Sequence, residues 1–407
     1  MDNNYRKLKY ACYTVNLSMS IVANMSPVLF LTFRTLYGIS YSLLGLLVLI
    51  NFLTQLTVDL VFSFFSHKFN ISKAVKATPV LTIIGLLVYG IWPYIFNDYT
   101  YVGLVLGTLI FSAASGFAEV LISPVIAAIP SENPEMEMSK LHSVYAWGVV
   151  PVIIISTLFI YLFGGKHWQL LVFVFTIVPI ISAILFCGTI IPEMKTPQKV
   201  SGTLKFLNNK TLWLCVVVIF LGGAAECTMA QWASGYLEQS LNIPKIWGDI
   251  FGVSLFAVAL GLGRTLYSKK GKNIKKVLLL GGTGAAICYF VVAITPYPIV
   301  GLIACAFTGF CTSMLWPGSL IVASEKFPES GVFIFAMMAA GGDLGASVVP
   351  QLVGIVTDVV IKNPAFINIA TTLSITTEQL GMKTGILFAM LFPLASIVVY
   401  SRLKKPD

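Results

Sequence analysis

The sequence predicts an all-α membrane protein, with twelve transmembrane helices arranged as two pseudo-symmetric six-helix bundles. Three observations carry that expectation. Of 407 residues, 57% are hydrophobic and only 11% charged, against about 25% charged in an ordinary soluble domain. Such a chain could not cover a globular surface with polar groups, and its mean hydropathy of +0.88 agrees. The apolar residues fall in runs of about 20, the length that crosses a bilayer core. Finally, the two halves carry the same short motifs in the same order.

In chain order the runs lie near 10–33, 40–65, 74–96, 100–129, 140–164 and 168–191, then 211–237, 247–267, 276–295, 298–323, 331–358 and 382–401. The expected domains are therefore a first bundle over 1–191, a cytoplasmic linker over 192–210 and a second bundle over 211–407. The opening stretch "MDNNYRKLKY" leads into the first run without an A-x-A-like cleavage site. A retained first span is expected there, not a signal peptide. Gly and Pro inside several runs are tolerable where neighbouring helices satisfy the freed backbone groups.

Lysine and arginine set the expected orientation. With the N-terminus inside, the inner segments collect Arg6, Lys7, Lys9, Lys68, Lys73, Lys76 and Lys140. They also take the linker lysines, the cluster Lys269–Lys276, Lys326, Arg402, Lys404 and Lys405. The other side holds Arg34, Lys166, Lys245, Lys362 and Lys383. That bias places both termini in the cytoplasm, and a bacterial inner membrane is the expected site. The net charge of +9 follows from these loop residues, so no nucleic-acid partner is inferred. The seven cysteines all lie in apolar runs without CxxC or metal-like spacing, and they read as small core residues. No cofactor and no metal site are expected.

The internal repeat is parallel. "GFAEVLISP" (116–124) matches "GFCTSMLWP" (309–317), and each proline is followed by a Ser-Glu pair, in "SENPE" and "SEKFPE". "HKFNISKAV" (67–75) matches "KGKNIKKVL" (270–278), and "GVVP" (148–151) matches "SVVP" (347–350). The offsets of 193, 203 and 199 describe one six-helix unit used twice. Repeats related by an axis along the membrane normal place a solute site between the halves near the midplane.

Polar residues inside the runs are the candidate site. Asn16, Ser20 and Asn24 recur every fourth residue in span 1, as do Asn51, Gln55 and Asp59 in span 2, so each set shares a helix face. Span 4 carries Glu119; span 5 offers His142, Tyr145 and Trp147; span 7 holds Glu226, Gln231 and Trp232. Trp316, Asp343 and Arg264 follow in spans 10, 11 and 8. Ser and Asn in membrane helices also serve as packing bonds, and that reading competes for the span 1 set. Asp59 and Arg264 lie toward the inner ends and suggest a gating or structural ion pair. Carboxylates at mid-span are costly unless they face a cavity or a partner, which singles out Glu119 and Glu226 for proton coupling.

These residues resemble the major facilitator superfamily, and within it the fucose–galactose–glucose:proton symporter group. "GGAAECTMAQWASGYLE" is similar to that group's span 7 pattern, "LHSVYAWGVVP" to span 5 and "GGDLGASVVPQLVG" to the glycine-rich span 11. The resemblance implies alternating access, a central sugar-sized cavity and proton coupling, with Glu119 at the position of the span 4 acid. It implies a monomer. Two departures stand out. Span 1 has Asn16 and Asn24 where the group has a carboxylate, and the superfamily's G-x-x-x-D-R-x-G-R loop is degraded to "SFFSHKFNISK", with Ser66 at the acidic position.

Taken together, the expected function is secondary active transport of a neutral polar solute, foremost a sugar, coupled to protons. A low-dielectric setting disfavours a bare carboxylate charge, so a buried glutamate can load a proton on one side and release it on the other. Amide and carboxylate groups suit sugar hydroxyls, and the indoles suit the sugar's apolar face. Sodium is the alternative coupling ion, and export of drugs or other lipophilic compounds is the competing function. A membrane enzyme is disfavoured because H-E-x-x-H, G-x-S-x-G and acidic clusters are absent. A solute-sensing receptor would be expected to carry a soluble domain, whereas only "SRLKKPD" follows span 12.

Overall fold

The structure is a computed structural model that describes residues 3–65, 69–130, 134–192, 208–270, 273–327 and 332–402. The degraded loop with Ser66, the linker residues 193–207 and both Ser-Glu pairs therefore lie wholly or partly outside the described residues, as does the side chain of His142. Described regular structure is helical throughout. Ten helical stretches are long and apolar enough to cross a membrane, a bent pair brings the number to eleven, and Trp147–Phe163 is a shorter apolar helix. That count, among the described residues, is consistent with the twelve expected spans.

Span 1 is broken. Helix α1 (Asn3–Val28) and α2 (Phe30–Tyr37) meet at 47°. Pro27 lies inside the last turn of α1; it has no N–H to give and its ring crowds the preceding turn, a common cause of such a bend. Next come α3 (Tyr41–Phe65), α4 (Ile71–Ile95), α5 (Thr100–Ala128), α6 (Pro134–Phe163) and α7 (Trp168–Phe186). The second half begins with α8 (Lys210–Leu241), α9 (Lys245–Gly248), a π-helical turn (Asp249–Ser254) and α10 (Leu255–Lys270). It continues through α11 (Ile274–Ile294), α12 (Pro298–Thr312), α13 (Leu315–Lys326) and α14 (Val332–Lys362). It closes with α15 (Pro364–Thr372), α16 (Thr377–Ala389) and α17 (Leu391–Arg402). The repeated prolines fall alike: Pro151 lies inside α6 and Pro350 inside α14.

Two compact units emerge from the contacts. The first comprises residues 1–26 and 50–200, the second 27–49 and 201–407. In the first, Leu8, Ala11, Cys12 and Val15 of α1 pack with Ala118, Leu121, Ile122 and Val125 of α5, and Leu141 and Phe186 close the cluster. In the second, buried tyrosines tie helices to backbone. Tyr236 donates to the Val292 carbonyl at 2.6 Å and Tyr289 to the Ala225 carbonyl at 2.8 Å. Residues 27–49 belong by chain order to the first half and by contact to the second. Large apolar side chains such as Ile177, Ile181 and Ile184 of α7 point outward, as acyl chains allow and water would not.

The structure differs from the sequence reading in two local respects. Helix α15 occupies a stretch read as loop. Cys187 is exposed at the end of α7, so it is not a core residue; Cys227 is half-buried and the other five thiols are buried, all seven being free.

Candidate functional site

In the first unit the polar stripe of α3 runs alongside α5, and both helices point the same way. Asn51 Oδ1 accepts from Ser112 Oγ at 2.6 Å. One turn on, Gly116 lies so close to α3 that a Cβ there would sit 3.1 Å from the Gln55 carbonyl. A further turn brings Asp59 and Glu119 near enough to act on each other electrostatically. The side chains follow i, i+4, i+8 on α3 and i, i+4, i+7 on α5, the spacing that keeps one helix face turned to a neighbour. Asn51 and Gln55 are buried, whereas Glu119 is exposed. Asp59 Oδ1 is buried and accepts no hydrogen bond among the described residues. No described cation pairs with either acid.

The span 1 stripe is committed to helix backbones. Asn16 donates to the Leu141 carbonyl of α6 at 2.8 Å, Ser20 donates to the Leu17 carbonyl at 2.8 Å, and Asn24 donates to the Ser20 carbonyl at 2.9 Å. Gly148 of α6 sits directly against Ser20, where a Cβ would collide with its hydroxyl. Tyr145 is half-buried and Trp147 is 66% exposed.

In the second unit Arg264 of α10 is the organising charge. Its Nη2 donates to both carboxylate oxygens of Glu226 at 2.8 and 3.1 Å, and its Nε donates to the Ser313 carbonyl at 3.1 Å. Ser313 lies at the break between α12 and α13, so Arg264 satisfies a carbonyl that the interrupted helix leaves without its usual partner. Cys227 feels the charges of Glu226, Asp343 and Arg264 together, which places all four groups in one neighbourhood. Trp316 lies over two glycines: a Cβ on Gly342 would come 2.5 Å from the indole and one on Gly223 2.8 Å. Gln231 is buried. Trp232, expected to face solute, is 2% exposed and donates to the Pro350 carbonyl at 3.0 Å, with Phe30 and Tyr41 packed on its ring. Of the expected gating residues, Arg264 pairs with Glu226, and Asp59 neighbours Glu119.

A second network had no place in the sequence reading. Glu378 at the start of α16 accepts from Arg34 Nε at 2.7 Å, Tyr41 Oη at 2.8 Å and Gln239 Nε2 at 2.9 Å. The Arg34 guanidinium also stacks 4.2 Å above the Tyr41 ring. Asp358 of α14 accepts from Tyr41 N at 3.3 Å, Ser42 N at 2.8 Å and Ser42 Oγ at 2.5 Å. It thus caps the N-terminus of α3, whose first N–H groups have no partner within their own helix. The only sequence signal was the siting of these charges at span ends.

The Major Facilitator Superfamily model matches residues 12–350. No curated protein sequence matches. Among solved structures, the chain is similar to the nucleoside transporter NupG at 13% identity and TM-score 0.70, with 100% of both chains covered. It is similar to a D-xylose-proton symporter at 16% identity and TM-score 0.73, over 96% of this chain and 97% of that one. The E. coli fucose:proton symporter FucP follows at 13% identity and TM-score 0.62, with 98% of each chain covered.

Proposed function

Because the chain belongs to the Major Facilitator Superfamily, with the family match running over residues 12–350, we propose that it moves a neutral polar solute, foremost a sugar, by proton-coupled alternating access. Membership carries the coarser part: a multi-pass membrane protein and a secondary transporter of small molecules. The finer part rests on one observation, the neighbouring carboxylates of Asp59 and Glu119, with no described cation paired to either. Two like charges side by side at membrane depth are costly, and a proton held between them removes that cost. Span 1 lacks the expected carboxylate, and Asp59 on span 2 supplies a second acid to Glu119 instead. Glu119 is exposed while Ala118 and Ile122 beside it are buried, which supports a wet passage on that side of α5.

In the second unit Asp343 and the Glu226–Arg264 pair supply hydrogen-bonding groups, and Trp316, laid against Gly223 and Gly342, supplies an indole; these are the kinds of group a sugar requires. Gln55 and Asn51 supply amides one and two turns from Asp59. The same fold carries D-xylose–proton and fucose:proton symport in two of the similar structures. Arg34, Glu378 and Asp358 serve as a clasp that holds residues 27–49 to the second half and releases them as the outer end opens. The expected orientation, with both termini inside, places that clasp on the outer side.

Uptake into proteoliposomes under an imposed pH gradient tests the reading. The parent protein concentrates its sugar; Glu119→Gln and Asp59→Asn each abolish uphill uptake, while exchange of labelled for unlabelled sugar persists. Uphill uptake that survives in Glu119→Gln rules out the proton site.

A further inference from the structure

Between Lys362 and Glu378 the chain has no charged residue, and most of that stretch is α15. The helix starts cleanly: Asn363 Oδ1 accepts from Ala365 N at 3.0 Å, and Pro364 takes the first helical position. At 100° per residue, Phe366, Ile367, Ile369, Ala370 and Leu373 share an arc of roughly 160°, and Asn368, Thr371 and Thr372 fill the opposite side. Only Ala370 of the apolar arc is buried, while Ile367, Ile369 and Leu373 are 49%, 45% and 57% exposed. Nine residues make a helix about 14 Å long, under half of the ~30 Å hydrocarbon core. Such a helix cannot span.

Its position decides what covers the apolar arc. It joins the end of α14 to the start of α16, and both α14 and the continuous α16–α17 stretch Thr377–Arg402 are long and apolar enough to cross the membrane, so it lies where the chain leaves the hydrocarbon. The exposed side chains of Ile355 and Val359 on α14 lead the lipid-facing surface up to it, and Lys362 closes α14 with a side chain long enough to reach the headgroups. We propose that α15 is an interfacial helix, resting Ile367, Ile369 and Leu373 in the headgroup–acyl boundary of the bilayer with Asn368, Thr371 and Thr372 toward water. It connects the two clasp acids, because Asp358 lies in the last turns of α14 and Glu378 in the first turn of α16. Its seat on the lipid thus lies between the two clasp carboxylates along the chain.

Depth measurement by spin label tests this without any transport assay. On a cysteine-depleted full-length chain in phosphatidylcholine vesicles, nitroxides are placed by Ile367→Cys, Ile369→Cys, Leu373→Cys, Asn368→Cys and Thr371→Cys. Labels at 367, 369 and 373 are expected to meet oxygen several-fold more readily than a water-soluble nickel chelate, and labels at 368 and 371 the reverse. Equal chelate access at 369 and 371 puts the arc in water and overturns the proposal. An immobilised label at 369 that neither reagent reaches means that protein, a second copy or a partner, covers the arc, and overturns it equally. These side chains are exposed, so the variants leave the packed core untouched.

Discussion

Arg264 holds three acceptors that would otherwise be stranded: both oxygens of Glu226 and the Ser313 carbonyl at the α12–α13 break. Its side chain is 40% exposed and that of Glu226 only 14%, so the loss falls mainly on the acid. Removing one member of a buried pair costs more than removing both, discounted here because one partner reaches solvent. Arg264→Ala alone should therefore lower stability by about 2 kcal/mol, and adding Glu226→Gln should recover part of it. A double-mutant cycle on thermal unfolding in detergent checks this; a coupling energy near zero counts against the pair. Glu119 has no such partner among the described residues, and the two glutamates that look alike in sequence have different surroundings. One is bound to an arginine, while the other faces an aspartate.

Two contacts between elements carry predictions of their own. Helices α8 and α14 approach through Gly223 and Gly342, with Trp316 laid over both. A methyl group on Gly342 has no room, so Gly342→Ala should displace the indole, cost about 1–3 kcal/mol as overpacking does and lower affinity for the proposed sugar. Trimming the ring in Gly342→Ala/Trp316→Phe should return part of the stability but not the affinity, as a binding isotherm and a melting curve on the same sample will tell. The N-terminus of α3 is the second case. Asp358 accepts three hydrogen bonds there, so Asp358→Ala should cost about 2 kcal/mol. Arg34→Ala removes a pair whose side chains are 28% and 29% exposed and should cost only about 1 kcal/mol. If Asp358→Ala melts no earlier than Arg34→Ala, the capping account fails.

At the scale of the molecule, topology is the open expectation. Lys and Arg bias puts residue 407 inside and the 363–376 segment outside. A reporter enzyme active only outside the cytoplasm should stay silent when fused after 407 and work when inserted near 374; the opposite pattern inverts the protein. Much of the architecture could be read in one dimension. Spans follow from runs of apolar residues, and the doubled unit follows from motifs that recur about 200 residues apart. The stripe of Asn51, Gln55 and Asp59 was also legible, because helical period alone gathers it on one face. Its counterpart on α5 was only half visible: Glu119 announces itself, but Ser112 and Gly116 are ordinary residues until α3 lies against them. Trp232 could not be told from a sugar platform by sequence, since both uses call for an aromatic ring with a donor in an apolar run. Its hydrogen bond to Pro350 crosses 118 residues.

Hydropathy and internal repetition therefore settled, without coordinates, that this chain lives in a membrane as a doubled helical bundle, because burial in lipid is a property of each segment taken singly. Which acid meets which partner was decided only in three dimensions. Arg34 and Glu378 are 344 positions apart, and no local pattern specifies an approach between helices so distant in the chain.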